Sequence, residues 1–182
     1  MSKFTDVAIG ELFRGVNGHP KYIRDYLDSH KGEYPVYSAS LTRPFGYVDE
    51  FQFDGHFLTW VMNGYGGRVQ EIVGRFSANR DRGVFVPREG VRTPDLTYLR
   101  MVMEQQLSSA AVGRRVDGKR NEYTKIYPET AEALSISLPV EASGNWNYAM
   151  MVEVGAKFRR IEAAQKDVSV AHDALFRAAF LV

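Results

Sequence analysis

Arginine carries most of the chemistry this sequence can offer another molecule: it outnumbers lysine sixteen to seven, and cysteine is absent. A guanidinium is a planar fork of donors that fits phosphate oxygens and the acceptor edge of guanine. The same skew also arises where Arg merely replaces Lys in a GC-rich genome, so composition alone leaves both readings open. The placement of the cations says more. Residues 68–125 carry twelve Lys/Arg against seven Asp/Glu, residues 1–67 carry six against eight, and residues 126–144 are net −3. A region of net +5 therefore sits inside a chain of formal net charge +1.

Three stretches in and around this region combine Arg with Ser, Thr, Asn or Tyr. The loop Ser38–Phe45 holds Ser40, Thr42 and Arg43; a glycine-rich turn holds Tyr65 and Arg68; and the next turn holds Arg80 and Arg82. Loops on a rigid frame commonly carry recognition, so these seven are candidate readers of DNA bases. Residues 113–125, GRRVDGKRNEYTK, hold Arg114, Arg115, Lys119, Arg120, Asn121 and Lys125, diluted by Asp117 and Glu122. They form either a solvated loop or a set of phosphate contacts, which fix register without reading sequence.

Catalytic constellations are not evident. Asn63-Gly64-Tyr65-Gly66-Gly67-Arg68 lacks the spacing and the Lys-Ser/Thr of a phosphate-binding loop. Pro94-Asp95 with Asp117-Gly118-Lys119 imitates a nuclease layout, but those carboxylates would have to sit together on strands to hold Mg²⁺. The four His, at 19, 30, 56 and 172, have no metal-ligand spacing. Ser38, Ser40 and Ser77 lack a nucleophile elbow. The expectation is a non-enzyme with no catalytic residue, no metal ligand and no cofactor of its own.

The elements that would hold these residues read as strands. Tyr34–Ser38, Gly46–Val48, Phe57–Met62, Arg68–Gly74 and Val84–Val86 are short apolar or β-branched runs. Turn signals separate them at Arg43-Pro44, Phe53-Asp54-Gly55, Asn63-Gly64 and Asp81-Arg82-Gly83. Phe4–Phe13 fits a strand start or a helical turn, and Pro20–His30 one or two helical turns. Asp95 is placed to cap a helix over 96–112 with Leu96, Leu99, Val102, Met103 and Leu107 on one face, ended by Gly113. Leu134–Leu138 alternates as a strand and stops at Pro139.

From about Trp146 the texture changes, with Ser143 or Asn145 as the cap. Val154, Phe158, Ile161, Gln165, Val168, His172, Leu175, Ala179 and Val182 recur at spacings of four and three, a heptad seam. A lone helix cannot bury such a stripe against itself, so the seam predicts a partner helix from a second copy or another protein. Gln165 and His172 are polar positions that can fix register, although His172 also fits a half-exposed seam residue with no further role. The whole predicts an α+β fold: a β-rich domain with packed short helices over 1–142, then one long coiled-coil helix over 143–182. No leader or 20-residue apolar span is evident, which predicts a cytoplasmic protein that does not enter a membrane.

Read in order, Gly32-Glu33-Tyr34-Pro35-Val36-Tyr37-Ser38, Gly46-Tyr47-Val48, Phe53-Asp54-Gly55, Asn63-Gly64-Tyr65-Gly66-Gly67-Arg68-Val69, Gly74-Arg75-Phe76-Ser77, Asp95-Leu96-Thr97-Tyr98-Leu99 and Ile136-Ser137-Leu138-Pro139 before the long helix resemble the specificity subunit of type I restriction–modification systems. Recognition subunits of type IIB enzymes are similar. The resemblance implies a DNA target recognition domain joined to a spacer helix. It also implies docking onto DNA methyltransferase subunits that carry the S-adenosylmethionine chemistry, with a restriction subunit as a further partner. A full family member has two recognition domains and two spacer helices; one of each stands here, so the resemblance implies a half subunit. The family's helix-entry phrase, Pro followed closely by Glu-Gln, is reduced to Pro139 followed by Val-Glu-Ala-Ser-Gly.

Three readings follow. The first is a DNA-recognition subunit that pairs as a homodimer on a bipartite, symmetric target. The second is an assembly module with a coiled-coil stalk that binds protein, and the third is a nuclease. Steep salt dependence of DNA binding separates the first from the second, and metal-dependent cleavage would mark the third.

Overall fold

The computed structural model describes residues 3–116 and 119–180, with the side chains of 114–122 and 178–180 outside the description. The chain opens with β1 (Lys3–Ala8), α1 (Ile9–Leu12), β2 (Phe13–Asn17), α2 (Arg24–Ser29), β3 (Tyr34–Tyr37) and β4 (Gly46–Val48). It continues through β5 (Phe53–Val61), β6 (Asn63–Gly64), β7 (Val69–Ala78), β8 (Arg82–Pro87) and α3 (Leu96–Ala110). It closes with β9 (Val112–Val116), β10 (Lys119–Lys125), α4 (Pro128–Ala133), β11 (Ser135–Val140) and α5 (Tyr148–Phe180). This is a β-rich body followed by one long helix.

Six strands form the main sheet in the order β2-β8-β5-β7-β3-β4. Neighbours are antiparallel except β3 and β7. β7 and β8 flank β5 and both run against it, with Phe76 opposite Phe53 and Arg82 opposite Val61. Residues 79–81 alone join Ala78 to Arg82, a reach of about 14 Å, whereas a flat β5 would separate those two ends by about 26 Å. The sheet must therefore curl. Gly55 and Gly74 sit opposite each other at φ 140 and 97, conformations open to glycine, and provide the bend. A bridge from His19 to Asn79 ties the end of β2 back to β7.

One face packs on α3. Leu99, Met103 and Leu107, at helical spacing, are fully buried with Leu58, Trp60 and Phe85 from the sheet. Each such side chain contributes about 1.5–3 kcal/mol. Trp60 stacks on Phe85 at 4.2 Å and donates its Nε1 proton to the Ile126 carbonyl at 3.2 Å. Gly83 lies under that indole, where a Cβ would come within 2.3 Å of it. The opposite face carries a smaller cluster of Ile72, Phe76, Ala78 and Val84.

Several sequence expectations are corrected. Phe53-Asp54-Gly55 is the start of β5 rather than a turn. Asn63-Gly64 is a short strand paired with β10. The turn after β7 is Asn79–Asp81, where the Asn79 carbonyl accepts from Arg82 N at 3.0 Å and its side chain from Asp81 N at 3.0 Å. α3 begins as predicted, with Asp95 Oδ1 accepting from Tyr98 N at 2.9 Å, but Gly113 already lies in β9. Residues 113–116 and 119–125 are strand rather than loop: β9 and β10 pair antiparallel and join β6 in a three-stranded sheet. Pro139 lies inside β11 opposite Phe4; because this sheet has two strands, a missing N–H can face outward.

α5 starts at Tyr148 and its cap is Asn147, whose Oδ1 accepts from Met150 N at 2.9 Å. Its first turns pack on the body instead of waiting for a partner. Met151 is fully buried and Val154 is half-buried against the core. Phe158 faces Met101 and Gln105 of α3 across a groove. Val154 and Phe158 therefore leave the exposed seam. Beyond them Ile161, Gln165, Val168, His172 and Leu175 are exposed, while the side chains of Ala179 and Val182 lie outside the described residues. Among the described residues no helix is long and apolar enough to cross a membrane.

Candidate nucleic-acid interface

Segments far apart in the chain meet at one end of the curled sheet: the loop after β3, the turn through Gly66-Gly67, the turn before β8 and the end of β10. The β3–β4 loop is built on Ser40, whose Oγ accepts from Thr42 N and Arg43 N, each at 3.3 Å. A loop of this composition has weak internal structure, and its path is fixed from below by Arg82. That side chain is fully buried. Its Nε donates to the Ser38 carbonyl at 2.7 Å, Nη2 to the Ser40 carbonyl at 2.6 Å and Nη1 to Thr59 Oγ1 at 3.3 Å. Burial lowers the guanidinium to about 10, so it remains charged at neutral pH. Arg82 is thus corrected from a base reader to a support: its donors are turned inward because strand alternation places it on the same face as Val84.

The Gly66-Gly67 turn is clamped from three sides. Gly66 N donates to Thr124 Oγ1 at 2.9 Å and Gly67 N to the Val61 carbonyl at 2.9 Å. Gly67 has φ 92, and a Cβ there would lie 2.5 Å from the Leu107 and Ser108 backbone of α3. That contact aligns Arg68 with Glu104. Arg68 Nε is 3.0 Å from Glu104 Oε1, and Glu104 Oε2 accepts from Val69 N at 2.8 Å. Ser40, Tyr65 and Arg68 line a half-open cleft of about 440 Å³ whose apolar floor is Ala39, Leu41 and Val61.

The other candidates lie on the same loops and strand ends. Thr42 and Arg43 are exposed on the loop, and Arg80 is exposed on the turn, whose carbonyl accepts from Asn63 Nδ2 at 3.3 Å. Lys125 pairs with Asn63 in register and is exposed. Arg114, Arg115, Lys119, Arg120 and Asn121 belong by backbone to β9 and β10, but their side chains lie outside the described residues. Sequence reasoning missed two participants. Arg24, exposed on α2, lies over the Phe45 ring at 5.1 Å and lines a second cleft with Arg43. Glu104 is the partner of Arg68. Glu104 sits three residues before Leu107 on a visible helix stripe, but nothing in sequence ties it to a turn 36 residues earlier.

The chemistry of the end is cationic and hydrogen-bonding. Among the described residues no group of three His, Asp or Glu is placed to hold a metal ion. Asp95, half of the nuclease imitation, is occupied as a helix cap and as the partner of Arg159, whose Nη1 lies 3.1 Å from both carboxylate oxygens. Asp117 lies outside the described residues.

Comparison with known proteins agrees with this architecture. Over 77 residues the chain is 39% identical to the type I restriction enzyme MpnII specificity subunit of Mycoplasma pneumoniae, a match spanning 41% of this chain and 23% of that protein. The fold is similar to the crystal structure of the type I restriction-modification S subunit from M. genitalium, with TM-score 0.67 and 14% identity, covering 94% of this chain and 43% of that one. It is also similar to the HsdS subunit from Thermoanaerobacter tengcongensis, with TM-score 0.57 and 15% identity over 96% of this chain and 39% of the other. The chain thus spans less than half the length of these relatives. Residues 1–143 match the model of the type I restriction modification DNA specificity domain, and the chain belongs to that family.

Proposed function

We propose that this chain chooses the DNA sequence on which methyltransferase subunits act, and does no catalysis itself. The observation that carries this reading is the convergence at one end of the sheet. Thr42, Arg43, Arg68, Arg80 and Lys125 come from four separate segments that meet there: Arg68 lines one cleft, Arg43 a second, Arg80 and Lys125 are both tied to Asn63, and a buried arginine holds the loop of Thr42 and Arg43. Cations of this kind meet phosphates, and Ser, Thr, Tyr and Arg meet base edges. The S-adenosylmethionine chemistry belongs to the methyltransferase partner, with a restriction subunit as a further partner, in the cytoplasm where the DNA is.

The exposed part of α5 supports a two-headed arrangement. Ile161, Val168 and Leu175 are 51%, 69% and 71% exposed along one stripe. A helix of 33 residues is about 50 Å long, and its outer half offers this stripe to a second copy. Two reading heads related by a two-fold axis address a split, symmetric target, with the helix setting the gap.

Selection of duplexes from a randomised pool by the full chain, alone and with its methyltransferase partner, tests the reading. The expected result is a bipartite consensus with affinity that falls steeply with salt. Binding to protein alone, with no salt-sensitive affinity for duplex, would overturn it in favour of an assembly module.

A further inference from the structure

We infer that Arg68 and Glu104 form one guanine-reading unit, in which Arg68 contacts the base and Glu104 positions it. This rests on the DNA-reading role above and names the base read by one part of it. Arg68 differs from the other exposed arginines of the interface in how completely it is held. Val61 N donates to its carbonyl at 2.9 Å, and the glycine turn before it is pressed onto the backbone of α3. Its Nε is ion-paired with Glu104 Oε1 at 3.0 Å, and Glu104 is itself anchored by Val69 N at 2.8 Å through the other oxygen.

With Nε engaged, the fork that remains is Nη1 and Nη2, on a side chain 53% exposed at the rim of the cleft. Two parallel donors match the O6 and N7 acceptors of guanine in the major groove, and no other base presents two acceptors there. A phosphate contact requires no such orientation, because a mobile cation serves equally well. A carboxylate anchored by a backbone N–H and ion-paired with an arginine beside a cleft suits base reading. It fixes the plane of the fork before DNA arrives and lowers the ordering cost of binding.

The test compares duplex selection by the full wild-type chain with selection by Arg68→Ala, Arg68→Lys and Glu104→Gln. Both side chains are partly exposed, at 53% and 30%, and glutamine keeps an acceptor for Val69 N, so folded variants are expected and melting curves verify them. Arg68→Ala is expected to lose preference for guanine at one position of each half-site by roughly 5- to 150-fold. Arg68→Lys should lose it as well, since charge without the fork does not suffice, and Glu104→Gln should weaken the same position to a smaller extent. Replacing that guanine by 7-deazaguanine should then weaken the wild type while leaving Arg68→Ala unchanged. A uniform loss of affinity on all sequences, a change at a base other than guanine, or an equal response of both proteins to 7-deazaguanine would overturn the assignment. A wild-type selection with no consensus would remove the DNA-reading role itself, an outcome distinct from a consensus that ignores Arg68.

Discussion

Arg82 Nη2 donates a hydrogen bond to the Ser40 carbonyl at 2.6 Å across 42 residues of sequence. One buried guanidinium thereby fastens the β3–β4 loop to the sheet. All three of its acceptors are neutral, two carbonyls and one hydroxyl. The cation is stabilised by these bonds at about 1.5–3 kcal/mol each, set against the cost of its burial.

Replacing Arg82 by Met keeps the buried stem and removes the donors. The Ser38 and Ser40 carbonyls then lose their partners, and the loop is released. Stability should fall by about 2–4 kcal/mol, which for a chain of this size lowers the melting temperature by roughly 4–16 °C. Amide hydrogen exchange in 38–45 should accelerate, and DNA selection should lose sharpness. Unchanged exchange in the loop would show that Arg82 does not hold it.

Glu50 predicts a response to acid. The Lys21 ammonium, then the Tyr26 hydroxyl, hold its carboxyl below the ordinary carboxylate range. A carboxylate lowered in the folded state contributes stability that is complete above its unfolded value, 4.5, and is lost as pH falls through the folded one. Glu50→Gln should therefore melt lower than the wild type at pH 6, by at most about 4 °C because the side chain is 40% exposed and screened. The difference should shrink as pH falls below 4.5 and through the folded-state value. A difference that does not change with pH would assign the effect to packing of α2 instead.

What was legible in the sequence followed local rules. Leu99, Met103 and Leu107 announced α3 because a helix repeats its buried face, and Asp95 announced its start because orphan N–H groups need an acceptor. Residues with turn chemistry inside strands misled. Gly55 reads as punctuation, yet opposite Gly74 it bends a continuous ladder, a fact that exists only once the two strands pair. Arg82 reads as a surface cation since charged side chains are rarely buried. The one clue was its parity with Val84 in a β run. The cleft was legible only by residue type: Ser40, Tyr65 and Arg68 were singled out, but Glu104 and Arg24 reach them through tertiary packing that no spacing encodes.

The junction between the body and α5 depends on a glycine. A Cβ at Gly155 would lie 2.1 Å from Asp95 Oδ1, and the same carboxylate caps α3 and binds Arg159. In an open helix Gly→Ala stabilises by about 1 kcal/mol. Here Gly155→Ala should destabilise, by about 1–3 kcal/mol, because the helices must separate or the cap must break. Chemical denaturation gives the sign directly, and a stabilised variant would refute the contact.

The outer seam of α5 makes the sharpest prediction about assembly. Val168 and Leu175 are exposed at 69% and 71%, so in a lone chain a charge at either position replaces solvent-facing methyls and changes stability by less than about 0.5 kcal/mol. In a pair of helices the same positions are buried, and each fully buried Val or Leu contributes about 1.5–3 kcal/mol. Sedimentation of the wild type should give twice the chain mass at micromolar concentration, and its melting temperature should rise with concentration. Leu175→Glu should return the single mass and a melting temperature independent of concentration, while Arg100 still bridges Glu71 and Glu162 and holds the first half of the helix on the body. Because half-sites are then read one at a time, selection by this variant should yield a single word in place of two separated by a fixed gap. A wild type of single mass that nonetheless selects two words would mean that the gap is set by something other than this helix.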